Sequence, residues 1–179
     1  LDLTAKLFVD AGDVIVTERP TFLGALIAFN PCEPDYRSVP MDDEGMDTEA
    51  LEDVLRTTAR VKLVYTVPDY QNPTGRTLPL DRRKRLAKLA KEGLLVFEDD
   101  PYGLVRFEGK PLPTVFDLAR GKNVVYSSSF SKTVSPGLRV GYLVLPEELA
   151  GRVESAAASA YITPALLSQA TVYAFLRRR

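Results

Sequence analysis

Residues Ser127–Val144 read SSSFSKTVSPGLRVGYLV, and the residues directly before them, Val124–Tyr126, complete a short run of apolar and β-branched side chains. Val124–Ser128 is predicted to be a strand, and Leu138–Leu145 (LRVGYLVL) a second one. Between them a polar turn carries Lys132 and Arg139 among serines. Upstream, strands and helices alternate without an internal repeat. Leu94–Asp99 (LLVFED) and Lys62–Val67 (KLVYTV) are strands, and Leu80–Glu92 between them has Leu86, Leu89 and Ala90 on one helical face, with Gly93 placed to end it. Further back lie a helix at Thr48–Thr57 capped by Asp47 or Thr48, a weak strand near Ser38–Met41, a helix at Thr21–Phe29 and a strand at Asp13–Glu18. Helices are expected again from about Glu147 and about Pro164. Strands alternating with crossover helices predict an α/β fold: a three-layer α/β/α arrangement around a mostly parallel sheet whose central strands are buried on both faces.

The composition narrows the function. Of 179 residues, 45% are hydrophobic and 26% charged, so the chain can bury a core and is not of disordered type. Basic and acidic residues number 23 and 24, and a net charge of −1 gives no overall attraction to nucleic acid or an anionic membrane. The basic cluster on Leu80–Lys91 is expected to be a solvated helix face. The chain has no histidine and one cysteine, Cys32, which removes histidine-based triads, the usual zinc sites and an intrachain disulfide. Proton transfer therefore falls to Lys, Tyr, Asp or Glu. No apolar run reaches the roughly 20 residues of a membrane span, and no basic-then-apolar signal layout opens the chain, so a soluble, cytoplasmic protein is expected. Leu1–Asp13 starts inside a helical pattern without an N-cap, and the pattern at Thr163–Arg179 (TPALLSQATVYAFLRRR) stops midway, so the chain is expected to be a piece of a longer protein.

Open α/β sheets bind ligands beyond the carboxyl ends of their strands, which singles out three segments. After Val124–Ser128, Lys132 stands among Ser129, Ser131 and Arg139: an amine beside hydroxyl and guanidinium donors, suited to a phosphorylated carbonyl ligand. An amine attacks a carbonyl only after losing its proton, which burial or a neighbouring cation promotes. Arg139 can serve as that cation and as a phosphate partner. Taken alone, the same residues also fit a solvated serine-rich loop. After Leu94–Asp99, Asp99 and Tyr102 can face one pocket, the carboxylate keeping a pyridine nitrogen protonated and the phenol donating to a ring oxygen. After Lys62–Val67, Asn72 sits in a turn held by Pro73 and Gly75, its amide free to donate to a phenolate.

Together, in this order, DAGDVIVTERPTFLG (Asp10–Gly24), YTVPDYQNPTGRTL (Tyr65–Leu78), FEDDPYG (Phe97–Gly103) and SSSFSKTVSPGLRVGYLV resemble the fold-type I pyridoxal-phosphate (PLP) enzymes of the aminotransferase class I/II superfamily. The likeness is greatest to its branch of 2-aminoadipate, aromatic and multi-substrate aminotransferases. It implies that residues 1–179 are the PLP-binding large domain, short of both ends and without the small C-terminal domain. Residue by residue, it implies that Lys132 forms the Schiff base and moves the proton, that Asp99 pairs with the pyridine nitrogen, and that Asn72 and Tyr102 hold the ring's 3′-oxygen. Ser129, Ser131 and Arg139 would bind the phosphate, and Phe22 would stack on the ring. It implies an amino acid and a 2-oxo acid as substrates, a homodimer as the intact assembly, no metal, and weak or no activity for this piece alone. Two other readings share these residues: a PLP-binding module of a transcriptional regulator, and another PLP reaction such as that of a lyase. In the regulators an HQxPTG-like segment often stands where this chain has YQNPTG, so Asn72 favours the enzyme.

Overall fold

The alternating pattern folds into one seven-stranded sheet, in a computed structural model that describes residues 1–178. In chain order the elements are α1 (Asp2–Phe8), β1 (Val14–Arg19), α2 (Leu23–Phe29), β2 (Asp35–Asp42), β3 (Gly45–Met46), α3 (Thr48–Thr57) and β4 (Val61–Thr66). They continue with α4 (Leu80–Lys91), β5 (Leu95–Asp99), α5 (Val115–Ala119), β6 (Val124–Ser129), β7 (Gly141–Val144), α6 (Glu147–Tyr161) and α7 (Leu166–Leu176). The strand order is β3-β2-β1-β4-β5-β6-β7. Strands β2, β1, β4, β5 and β6 run parallel, while the two edge strands pair antiparallel.

Because side chains alternate across a strand, each central strand feeds two cores. Val14, Val16, Val64, Val96 and Val124 pack on one face with Leu51 of α3, Leu86 and Ala90 of α4 and Val115 of α5. Ile15, Leu63, Tyr65, Phe97 and Val125 pack on the other with Ala5 of α1 and Ala25 and Phe29 of α2. These are the three layers expected from the sequence.

Four details depart from the expectation. The weak strand near Ser38–Met41 extends over Asp35–Asp42, because β1 pairs with it from Val14↔Asp35 to Arg19↔Pro40; the ladder, not local hydrophobicity, makes it a strand. The helix expected from Thr21 begins at Leu23, since Phe22 stays extended (φ −68, ψ 118) as its N-cap residue. The strand expected at Leu138–Leu145 shortens to Gly141–Val144, as Pro136–Leu138 form a 3-10 turn and Arg139 takes a left-handed conformation (φ 54). The connection carrying Pro111 and Pro113 contains α5, whose N-terminus is capped by the Thr114 hydroxyl accepting from Asp117 N–H.

The basic cluster of α4 is not a uniformly solvated face. Arg83 is fully buried and pairs with Asp69 at 3.0 Å, donating also to the carbonyls of Leu78 and Pro68. Arg82 pairs with Asp42 at 2.6 Å and donates to the Gly45 and Met46 carbonyls. A long cationic side chain can be drawn inward when a buried carboxylate and orphan carbonyls await it, and helical spacing alone does not reveal them.

Candidate active site

Strand order explains how residues distant in sequence meet. β1, β4, β5 and β6 are neighbours, so their carboxyl ends present, in that spatial order, Phe22, Asn72, then Asp99 with Tyr102, then Ser129 with Lys132. The chain leaves β1 toward β2 on one side and returns to β4 on the other, and a crevice opens where strand order reverses. A cavity of about 510 Å³ lies there. Phe22, Asn72, Asp99 and Tyr102 line it, and so do Ser129, Ser131, Lys132 and Arg139. The sequence-derived residues thus converge on one cavity.

Asp99 forms its floor. The alternation of β5 puts Asp99 on the face of Phe97 and sends Glu98 the other way, where its carboxylate accepts from the backbone N–H groups of Val115 and Phe116 at the start of α5. Asp100 is occupied elsewhere, accepting from Tyr126 Oη at 2.9 Å and Gly103 N–H at 2.7 Å. Asp99 Oδ2 accepts from Tyr65 Oη at 2.9 Å. Burial raises the Asp99 carboxyl above its ordinary range, against the lowering effect of the Tyr65 hydrogen bond. Among the described residues no lysine or arginine forms an ion pair with it. A buried carboxylate on a cavity floor without a basic side-chain partner suits a ligand with a cationic N–H.

The other wall is basic and hydroxylic. Ser129 Oγ donates to Ser131 Oγ at 2.9 Å and accepts from Ser131 N–H at 3.0 Å, so the two serines form a unit. Lys132 Nζ lies 5.8 Å from the centre of the Tyr102 ring. Lys132 and Arg139 are exposed at the mouth of the cavity they line. This wall matches an anionic group beside a carbonyl carbon.

Asn72 is held by residues the sequence reading passed over. Glu18, one residue before the end of β1, faces Thr66, whose hydroxyl donates to Oε1 at 2.6 Å; Val67 N–H donates to the same oxygen. Gln71 Nε2 donates to Glu18 Oε2 and to the Pro20 carbonyl, both at 2.9 Å, while its Oε1 accepts from the N–H and hydroxyl of Thr74. Gly75, at φ +71, closes the turn back onto the Gln71 carbonyl. Every hydrogen-bonding group of the Gln71 amide is used, which fixes the turn bearing Asn72 and the segment leading to Phe22. The available signal was an acid, Glu18, directly after the apolar run Val14–Val16 and Thr17.

With this geometry in place, the family model described as aminotransferase class I and II matches residues 1–178. The chain belongs to that family. Aromatic-amino-acid aminotransferase 1 of Thermococcus litoralis is 37% identical over 98% of this chain and 43% of that protein. The crystal structure of alpha-aminoadipate aminotransferase from Thermus thermophilus, complexed with N-(5'-phosphopyridoxyl)-L-leucine, superposes with a TM-score of 0.93 at 40% identity, covering 98% of this chain and 46% of that one. An uncharacterized HTH-type transcriptional regulator of Bacillus subtilis, YisV, is 40% identical over 78% of this chain and 29% of that protein. This aminotransferase-family chain therefore spans less than half the length of the curated relatives it matches. Among the described residues no helix is long and apolar enough to cross a membrane, and no group of three His, Cys, Asp or Glu side chains is placed to hold a metal.

Proposed function

We propose that residues 1–179 are the PLP-binding large domain of an aminotransferase that moves an amino group between an amino acid and a 2-oxo acid. The observation that carries this reading is that one cavity holds a buried acid without a basic side-chain partner, Asp99, and an amine–hydroxyl–guanidinium group, Lys132 with Ser129, Ser131 and Arg139. PLP fits both: a pyridine nitrogen that binds as a cation, and a phosphate next to an aldehyde. When bound, PLP supplies an electrophilic carbonyl and a ring that accepts electron density from substrate Cα.

The chain's own residues divide the work. The Lys132 amine would hold the cofactor through its aldehyde carbon and would serve as the base that moves a proton from the substrate Cα. Asp99 accepts a hydrogen bond from the ring N–H and keeps that nitrogen protonated. Asn72 and Tyr102 donate to the 3′-oxygen, and Phe22 covers one face of the ring. Ser129, Ser131 and Arg139 hold the phosphate. A homodimer in the cytoplasm, with the small domain and further site residues supplied outside this chain, completes the reading.

The test is product analysis on the intact protein supplied with an amino acid and a 2-oxo acid. Transamination gives parallel double-reciprocal lines and one oxo acid per amino group transferred. Ammonia release without an acceptor would point to a lyase instead. The likeness to YisV supports a regulator as the second reading, which a helix-turn-helix segment joined to this chain would favour.

A further inference from the structure

Tyr65 is fully buried in β4, with its ring edge-on to Phe29 at 5.6 Å and tilted against Phe97 at 6.0 Å. Its phenol is the polar tip of an otherwise apolar stack, and a buried hydroxyl left without a partner is destabilising. The partner it has is the cavity acid: Tyr65 Oη donates to Asp99 Oδ2 at 2.9 Å. The direction of donation is settled by chemistry, since burial first and the Asp99 charge second push the phenol above its ordinary range and keep its proton in place. Register explains the pairing. Tyr65 lies opposite Phe97 in the β4–β5 ladder, so Asp99, two residues on, shares its face of the sheet at the cavity end.

We infer that Tyr65 is a positioning residue for the reaction, fixing the Asp99 carboxylate in one orientation and tempering its basicity so that the shared proton stays on the ligand's ring nitrogen. This rests on the reading of Asp99 as the ring-nitrogen partner. Asp99 Oδ2 is held by a fixed neutral donor inside the aromatic layer, and the Ser127 hydroxyl, beside Asp99 across the β5–β6 pair, is a second neutral donor at the cavity edge; Tyr65 is the one of the two anchored in the buried layer. A carboxylate that loses a hydrogen-bond donor becomes a stronger base. Removing the Tyr65 hydroxyl therefore draws the shared proton from the ring toward Asp99 and weakens the ring as an electron acceptor. Tyr65 is not among the residues that line the cavity, so it acts through Asp99.

The experiment loads the intact protein with PLP labelled with 15N in the ring and compares wild type, Tyr65→Phe and Asp99→Asn. Tyr65→Phe is expected to shift the ring-nitrogen resonance part of the way toward the unprotonated position. It should also lower kcat by about tenfold with substrate KM within about twofold, the size of one hydrogen bond to a charged group. Asp99→Asn is expected to shift the resonance the whole way. If Asp99→Asn moves it and Tyr65→Phe does not, the role of Tyr65 is overturned while that of Asp99 stands. If neither moves it, the reading of Asp99 falls, and this inference with it. Should Tyr65→Phe fail to fold, 3-fluorotyrosine at position 65 keeps the ring and strengthens the donor, and must move the resonance toward the protonated position; an unchanged resonance overturns the inference.

Discussion

Glu18 Oε2 accepts a hydrogen bond from Gln71 Nε2 at 2.9 Å, tying the end of β1 to the turn that presents Asn72. The contact joins segments far apart in sequence within a buried layer. Its electrostatic consequence can be measured, because burial pushes Glu18 up to about 7 against the hydrogen bonds it receives. Glu98, beneath α5, is likewise pushed up to about 7 by burial.

For both acids the folded state binds its proton more tightly than the unfolded chain, whose glutamates titrate near 4.5. Their stability contribution is therefore complete below that value and is lost as pH rises through about 7. Each shift corresponds to roughly 3 kcal/mol. The urea midpoint is expected to fall between about pH 5 and about pH 8, and Glu98→Gln should flatten that fall. A midpoint that climbs over this range contradicts the assignment.

Arg83 and Arg85 lie on the same helix but carry different weight. Arg83 is fully buried on Asp69, whereas Arg85 meets the exposed Glu49 at 3.2 Å. Arg83→Met removes one of the two guanidinium partners of buried Asp69, Arg106 being the other, and leaves the Leu78, Pro68 and Pro113 carbonyls short of a donor; it is expected to cost about 2 kcal/mol or more. Arg85→Met should cost less than about 1 kcal/mol. Urea denaturation of the two variants checks this, and equal costs would show that the Asp69 pair is not structural.

Arg139 is assigned to the phosphate, so its effect should depend on the phosphate. Arg139→Met is expected to weaken PLP binding by about 10- to 100-fold, the size of a hydrogen bond between charged groups, and to leave pyridoxal binding nearly unchanged. Titration by cofactor absorbance gives both affinities. Equal weakening of the two ligands would assign Arg139 to the fold and not to the phosphate.

The strands with continuous apolar runs, β1, β4, β5 and β6, were legible because burial on both faces leaves a compositional trace. β2 was only half legible, since a strand of polar residues such as Asp35, Arg37 and Ser38 near the sheet edge exists by virtue of its pairing with β1. α5 was hidden among prolines, its stop signal being the left-handed Arg120 where a glycine is more usual. At the site, Lys132, Asp99, Asn72 and Arg139 were visible as chemistry at strand ends. Tyr65, Glu18 and Gln71 were not, because a buried Tyr or Glu inside a strand reads as packing until its neighbour across the sheet is known. The burial of Arg83 escaped for the same reason.

The central claim is that Lys132 is the amine that takes up the cofactor, and borohydride reduction of the PLP-loaded intact protein tests it most directly. Reduction fixes PLP to whichever amine holds it, and peptide mapping then reads the position. One phosphopyridoxyl group is expected on the peptide carrying Lys132, and none at that site in Lys132→Ala. Labelling confined to other lysines, with the Lys132 peptide unmodified, would contradict the claim.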